Sequence, residues 1–150
     1  MATGDLTVFD EAKAYMIDGG WEAADDIKVA ICDNTTTPVA AAVVPAVTTG
    51  GTTNYTEVGS AGSYTAGGVS IGALSAVVTE AAGTMTFDSA TNPSWTANAS
   101  NDVDAWWAII YNDTDTANRA IAFVELGGPV NMQTVALTLT WDGSGLFTIA

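Results

Sequence analysis

The sequence predicts an all-β chain: an antiparallel β-sandwich of jelly-roll type with a short N-terminal α-helix. Three observations carry that prediction. Short apolar segments recur at even spacing between clusters of turn-forming residues from residue 69 onward. One of them, 134–141, alternates apolar and polar residues without a break. No long strand alternates with amphipathic helices, which argues against a parallel α/β sheet. No fixed repeat is visible, so a single domain is expected to cover 1–150.

The helix is predicted at 7–18. Thr7 followed by Asp10 resembles a capping box, Phe9, Ala12 and Met16 share a face flanked by Val8 and Tyr15, and Gly19–Gly20 supplies a C-cap. At 27–32, Ile27, Val29 and Ile31 alternate with Lys28, Ala30 and Cys32, the period of a half-buried strand closed by the turn formers Asp33, Asn34 and Thr35. The stretch 36–60 is rich in Ala, Val, Thr and Gly and carries Pro38 and Pro45. That composition favours an extended arm or irregular loop, with room for a short strand at 53–58. Turn clusters at 59–62 and 66–68 bracket Ser63, Tyr64 and Thr65.

Strands follow at 69–80, 84–88, 94–97, 103–111, 119–126, 134–141 and 146–149. In 134–141, Val135, Leu137, Leu139 and Trp141 point inward. Asp142, Gly143, Ser144 and Gly145 then turn the chain into 146–149 as a C-terminal hairpin. Residues 106–111 are apolar on both faces, which places that strand centrally, between an opposing sheet and either the helix or a neighbouring subunit.

Composition excludes several functions. Seventeen acidic residues stand against three basic ones, Lys13, Lys28 and Arg119, for a net charge of −14. Such a chain repels a phosphate backbone and anionic lipid surfaces, so neither nucleic acid nor membrane is expected as a partner. There is no histidine, which removes Ser-His-Asp and Cys-His catalysis and His-ligated zinc. The one cysteine, Cys32, permits no internal disulfide and reads as a small buried hydrophobe. Residues 1–5 lack the basic and apolar regions of a secretory signal, and no run approaches the ~20 apolar residues of a membrane span. The expectation is use without secretion, and the four glycosylation sequons read as turn and strand-edge residues.

No set of residues selects a chemistry. The acidic clusters at Asp25–Asp26, Asp102/Asp104 and Asp113/Asp115 read as Asx turns, because Ala117 and the missing bidentate Glu depart from a calcium loop. Gly67–Gly68 and Gly127–Gly128–Pro129 lack the lysine and helix start of a phosphate loop and read as turns. Trp106 and Trp141 are expected in the core, Trp21 and Trp95 at an interface. Catalytic residues, metal ligands and cofactor sites are all expected to be absent, and the chain is not expected to be an enzyme.

Four ordered stretches carry a resemblance. The helix ending in Gly leads to Trp21 and Asp25–Asp26–Ile27–Lys28–Val29–Ala30. Glu57–Val58–Gly59–Ser60 runs through Tyr64–Thr65–Ala66–Gly67–Gly68. Ala108–Ile109–Ile110–Tyr111–Asn112–Asp113–Thr114 leads to Ile121 and on to Gly127–Gly128. Leu137 to Phe147 closes the chain through Trp141–Asp142–Gly143–Ser144–Gly145. Together they resemble small tailed-bacteriophage structural proteins that decorate or cement the capsid, with departures in 38–47 and in the sparse positive charge.

The resemblance implies a virion protein on the capsid exterior, made in the host bacterial cytoplasm. Its partners would be the major capsid protein, bound across subunit boundaries, and further copies of itself as a dimer or trimer. The candidate interface residues are Trp21, Pro38, Val39, Val43, Val44, Pro45, Val47 and Trp95. A tail- or fibre-associated virion protein and a carbohydrate-binding module are the alternative readings.

Overall fold

A computed structural model describes residues 4–82, 84–142 and 144–149. The centre of the fold is strand β9 (Ala105–Asn112), whose residues from Trp107 onward are all buried, as an apolar run on both faces requires. It lies between β10 (Ala120–Val130) and β2 (Asp26–Cys32). β1 (Leu6–Val8) adds outside β10 and β5 (Val69–Ala73) outside β2, giving the order β1-β10-β9-β2-β5. Every neighbouring pair in this five-stranded sheet is antiparallel.

Three smaller sheets surround it. β8 (Ser94–Trp95) pairs with β11 (Leu137–Thr138). β7 (Thr84–Phe87) lies between β6 (Val78–Ala81) and β12 (Phe147–Ile149). β3 (Pro45–Val47) and β4 (Thr53–Tyr55) form a parallel pair. The chain is therefore mostly β, built of several open sheets that are antiparallel apart from that pair.

Both faces of the central sheet are covered. On one face, Ala30, Cys32, Trp107, Ile109, Tyr111 and Phe123 pack beneath Phe9, Ala12, Ala42, Val47 and Tyr55. On the other, Ile27, Val29, Ile31, Ala108, Ile110 and Val124 meet residues of the smaller sheets, of loops and of a short helix, including Tyr64, Val77, Trp95, Met132 and Leu137. The predicted half-buried strand at 27–32 is thus buried on both sides.

Several expectations are corrected. The helix is α1 (Asp10–Ile17) rather than 7–18, because Leu6, Thr7 and Val8 pair with Val124, Phe123 and Ala122. Phe9 is the N-cap and no side chain caps the helix, so the expected Thr7–Asp10 capping box does not form. The ladder offers β-branched Thr7 and Val8 more than a helical turn does.

Of its two readings, the 36–60 stretch takes the irregular loop, interrupted by β3 and β4, and not the extended arm. It lies on the sheet through buried Ala42, Ala46, Val47, Tyr55 and Val58, and Asp10 N–H donates to the Ala40 carbonyl across 2.9 Å. The predicted strand 69–80 is broken by the short helix α2 (Leu74–Val77). Leu74 and Ser75 give their N–H groups to the carbonyls of Asp25 and Ala23 rather than to a ladder.

The sharpest correction concerns the C-terminal segment. Of 134–141, only Leu137 and Thr138 pair, with Trp95 and Ser94. Leu137 and Leu139 are buried as expected, Val135 is 54% exposed, and Trp141 is half-buried. Gly145 N–H does reach the Asp142 carbonyl, closing a turn whose Gly143 lies outside the described residues. The hairpin is not formed, because β12 pairs with β7, stacking Phe147 on Phe87 at 4.2 Å between ring centroids.

Gly127–Gly128 is not a turn: β10 runs through it with a bulge, the register jumping from Glu125↔Trp107 to Val130↔Ala105. Gly68 does sit in its predicted turn, with φ +66°, and a Cβ there would come within 1.9 Å of the Val29 carbonyl oxygen. Only glycine satisfies both demands. The signal-sequence reading falls partly on residues 1–3, outside the described residues.

Candidate functional site

Polar side chains brace the loops around the sheet. Buried Asp25 accepts from Asn112 Nδ2 at 2.6 Å and from Glu22 N–H at 2.9 Å, and Asn112 Oδ1 accepts from the N–H groups of Thr114 and Asp115. Asp102 accepts from the N–H groups of Gly59, Val103 and Asp104, and the Gly59 bond chiefly holds its carboxyl below the ordinary range. Asp102 and Asp115 form the predicted Asx turns, whereas Asp25 accepts backward from Glu22, Asp26 accepts from Ser70 Oγ, Asp104 from Trp106 Nε1, and Asp113 meets Tyr111 and Lys28. Among the described residues, no group of three or more Cys, Asp or Glu is placed to hold a metal ion.

A second brace ties 57–68 to the sheet. The Tyr64 hydroxyl donates to Glu57 Oε1 and accepts from Ile31 N–H at 3.0 Å, while Glu57 Oε1 also accepts from Gly67 N–H at 2.7 Å. Burial, reinforced by Glu57, raises the Tyr64 hydroxyl far above ordinary tyrosine. The Tyr111 hydroxyl donates to the Gly67 carbonyl or to Asp113, whose carboxylate also meets Lys28 Nζ at 2.6 Å. Cys32 is buried, and desolvation pushes its thiol well above the usual value, which leaves it a poor nucleophile.

The candidate interface residues divide. Trp95 is 3% exposed and packs on Tyr64, so the expectation that it lies at a surface is corrected: it fills the core behind β8. Pro38, Pro45 and Val47 are likewise buried, because 36–60 lies down on the sheet instead of projecting. Trp106 and Trp141, expected in the core, are half-buried at the surface, their indole N–H groups donating to Asp104 and to the Thr91 carbonyl.

Trp21, Val44 and Pro45 are brought together. They line a cleft of about 30 Å³, roughly one water's share of liquid volume, with Glu11, Tyr15 and Arg119. The Arg119 guanidinium stands 3.9 Å from the Tyr15 ring centre, and the Trp21 ring meets Tyr15 edge-on. Val39 and Val43, 56% and 55% exposed, stand on the same segment, held from below by Ala42. The candidate site is this face, built from 38–45 and α1. Tyr15 and Arg119 belong to it and were not selected from sequence, since nothing in their spacing announces a cation over a ring.

A second concavity lies at the β1 end of the five-stranded sheet. It measures about 470 Å³ and runs between the β1–β10 edge and residues 137–146. Sequence reasoning missed it, because it exists only where the expected C-terminal hairpin fails to form. No helix among the described residues is long and apolar enough to cross a membrane. No family model, no curated protein and no solved structure matches this chain.

Proposed function

We propose that this chain is a virion structural protein that decorates and cements a bacteriophage capsid, without catalysis. In this reading the fold is an antiparallel sandwich, the smaller sheets β6–β7–β12 and β8–β11 serving as the layer opposite the five-stranded sheet. The protein self-associates as a dimer or trimer and binds the major capsid protein across subunit boundaries on the capsid exterior.

One observation carries the reading: Val39 and Val43 are more than half exposed on a segment that is otherwise fastened to the sheet. Two valines held out by a braced backbone offer a partner apolar area at little cost in ordering. The acidic charge supports an outer position, since a chain of −14 is repelled by packaged DNA. A ligand that binds only the assembled shell stabilises it by mass action at every site it fills.

The test adds purified protein to undecorated heads and measures bound copies and heat tolerance, with Val39→Asp/Val43→Asp as the variant. The expected result is saturation at hundreds of copies, a higher disruption temperature, and binding weakened at least about tenfold by the double substitution. Saturation at a handful of copies points to the tail or fibre instead. Heads that ignore the wild-type protein overturn the proposal.

A further inference from the structure

The groove at the β1 end is where the two sides of the core part. Its walls are apolar: Leu6, Val124 and Leu126 on the sheet side, Leu137, Leu139 and Trp141 opposite. Glu125 and Asp142 bring two carboxylates to the same groove, and among the described residues no basic side chain lines it. Its volume, about 470 Å³, falls within the ~300–1,000 Å³ of ordinary ligand clefts. β1 and β11, which contribute Leu6 and Leu137, are both end strands of their sheets. An end strand is the element on which an extended chain is held by backbone pairing with alternate side chains in pockets.

We infer that this groove binds an extended segment of a partner protein in which apolar side chains alternate with Lys or Arg. Charge decides between occupants. A second copy brings 17 acidic residues against 3 basic ones, and Lys13, Lys28 and Arg119 each already face a carboxylate, at 2.9, 2.6 and 3.6 Å. The chain thus has little to offer its own acidic groove, whereas a basic and apolar strand answers both wall and rim. The inference does not depend on the capsid reading, which rests on the opposite covering of the sheet.

The experiment titrates full-length protein with two acetylated ten-residue peptides, one alternating Leu or Val with Lys, the other carrying Glu in place of each Lys. Binding is read by calorimetry and by Trp fluorescence. The Lys peptide is expected to bind saturably and at least about tenfold tighter than the Glu peptide, and to weaken as salt rises. Glu125→Lys/Asp142→Lys should reverse that preference. Asp18→Lys/Glu22→Lys, with the same change in net charge away from the groove lining, should keep it.

Equal binding of the two peptides, no binding of the Lys peptide at 1 mM, or equal loss in both double variants overturns the inference. So does self-association, seen by sedimentation, that only the groove variant abolishes, since a second copy would then be the occupant. A groove variant that still decorates heads separates this inference from the capsid reading.

Discussion

The two faces of the five-stranded sheet are covered in different ways. One is sealed by α1 and the 36–60 segment over a cluster rich in aromatic rings: Phe9 lies 4.9 Å from Phe123 and 5.8 Å from Tyr55, and Trp107 meets Phe123 at 6.1 Å. The other is covered by small sheets of two and three strands, which close over Ile31, Ile110 and Ile121 but leave the β1 end open beside Leu126 and Trp141. A continuous helix-and-loop cover can follow the sheet closely. Short sheets with their own twist meet it only over part of its area. The sealed face therefore concentrates stability, and the open end leaves apolar surface for a partner.

The largest expected effect falls on the sealed face. Phe123→Ala should cost about 3–5 kcal/mol in urea unfolding, because Phe9, Tyr55 and Trp107 cannot all collapse into the space vacated. Leu126→Ala, at the open end, should cost about 1 kcal/mol, since its side chain already meets the groove. Equal costs would erase the distinction between the faces.

A middle effect is expected where the second face is braced by hydrogen bonds. Tyr64→Phe removes the acceptor of the buried Ile31 N–H and the donor to Glu57, and should cost about 1–3 kcal/mol. Amide exchange at Ile31 should accelerate in step. A neutral substitution would mean that the 57–68 brace contributes nothing.

The smallest effect carries the opposite sign. The Tyr55 hydroxyl is buried with no hydrogen-bond partner among the described residues, and burial, then Cys32, pushes it from 10.0 up to about 12. Tyr55→Phe should be neutral or stabilising by up to about 1 kcal/mol near pH 7, because a desolvated hydroxyl is removed. The pH dependence follows from linkage. A raised folded value means that the unfolded chain loses its proton first, so stability is complete below pH 10 and falls as pH climbs toward 12. The variant should show a shallower decline across that window in alkaline melts. A steeper one would refute the assignment.

Much of the central sheet was legible from residue pattern. The apolar run 106–111 predicts a strand covered on both sides, and the structure puts β9 there with all of the run but Trp106 buried. The Asx turns at Asp102 and Asp115 were legible because a short acceptor next to free N–H groups acts locally. The candidate site was legible only in part. Composition pointed to 38–47, yet alternate residues there go opposite ways: Val39 and Val43 out, Pro38, Ala42 and Pro45 in. Which way each turns depends on the sheet beneath, not on its neighbours in sequence.

The same limit explains 134–141, the cleanest alternation in the chain. Its period correctly buries Leu137 and Leu139, but pairing needs a partner, and β8 offers only Ser94 and Trp95. Trp95 and Trp106 exchanged their expected places for a related reason. Burial of an indole depends on which sheet face its strand presents, and the bulge at Gly127–Gly128 shifts the register beside Trp106.

By itself, then, the sequence determined local and collective quantities: a mostly β chain, several of its turns, the central strand and a strongly acidic charge. These follow from backbone preference, side-chain period and summed charge, which act over a few residues or over the chain as a whole. Only the tertiary structure decided that Leu6–Val8 joins the sheet, that 36–60 lies down, that β12 pairs with β7 and that a groove opens at the β1 end. Each of those outcomes is a choice among partners distant in sequence, settled by the free energy of covering apolar surface and pairing backbone groups, and no window along the chain contains both sides of it.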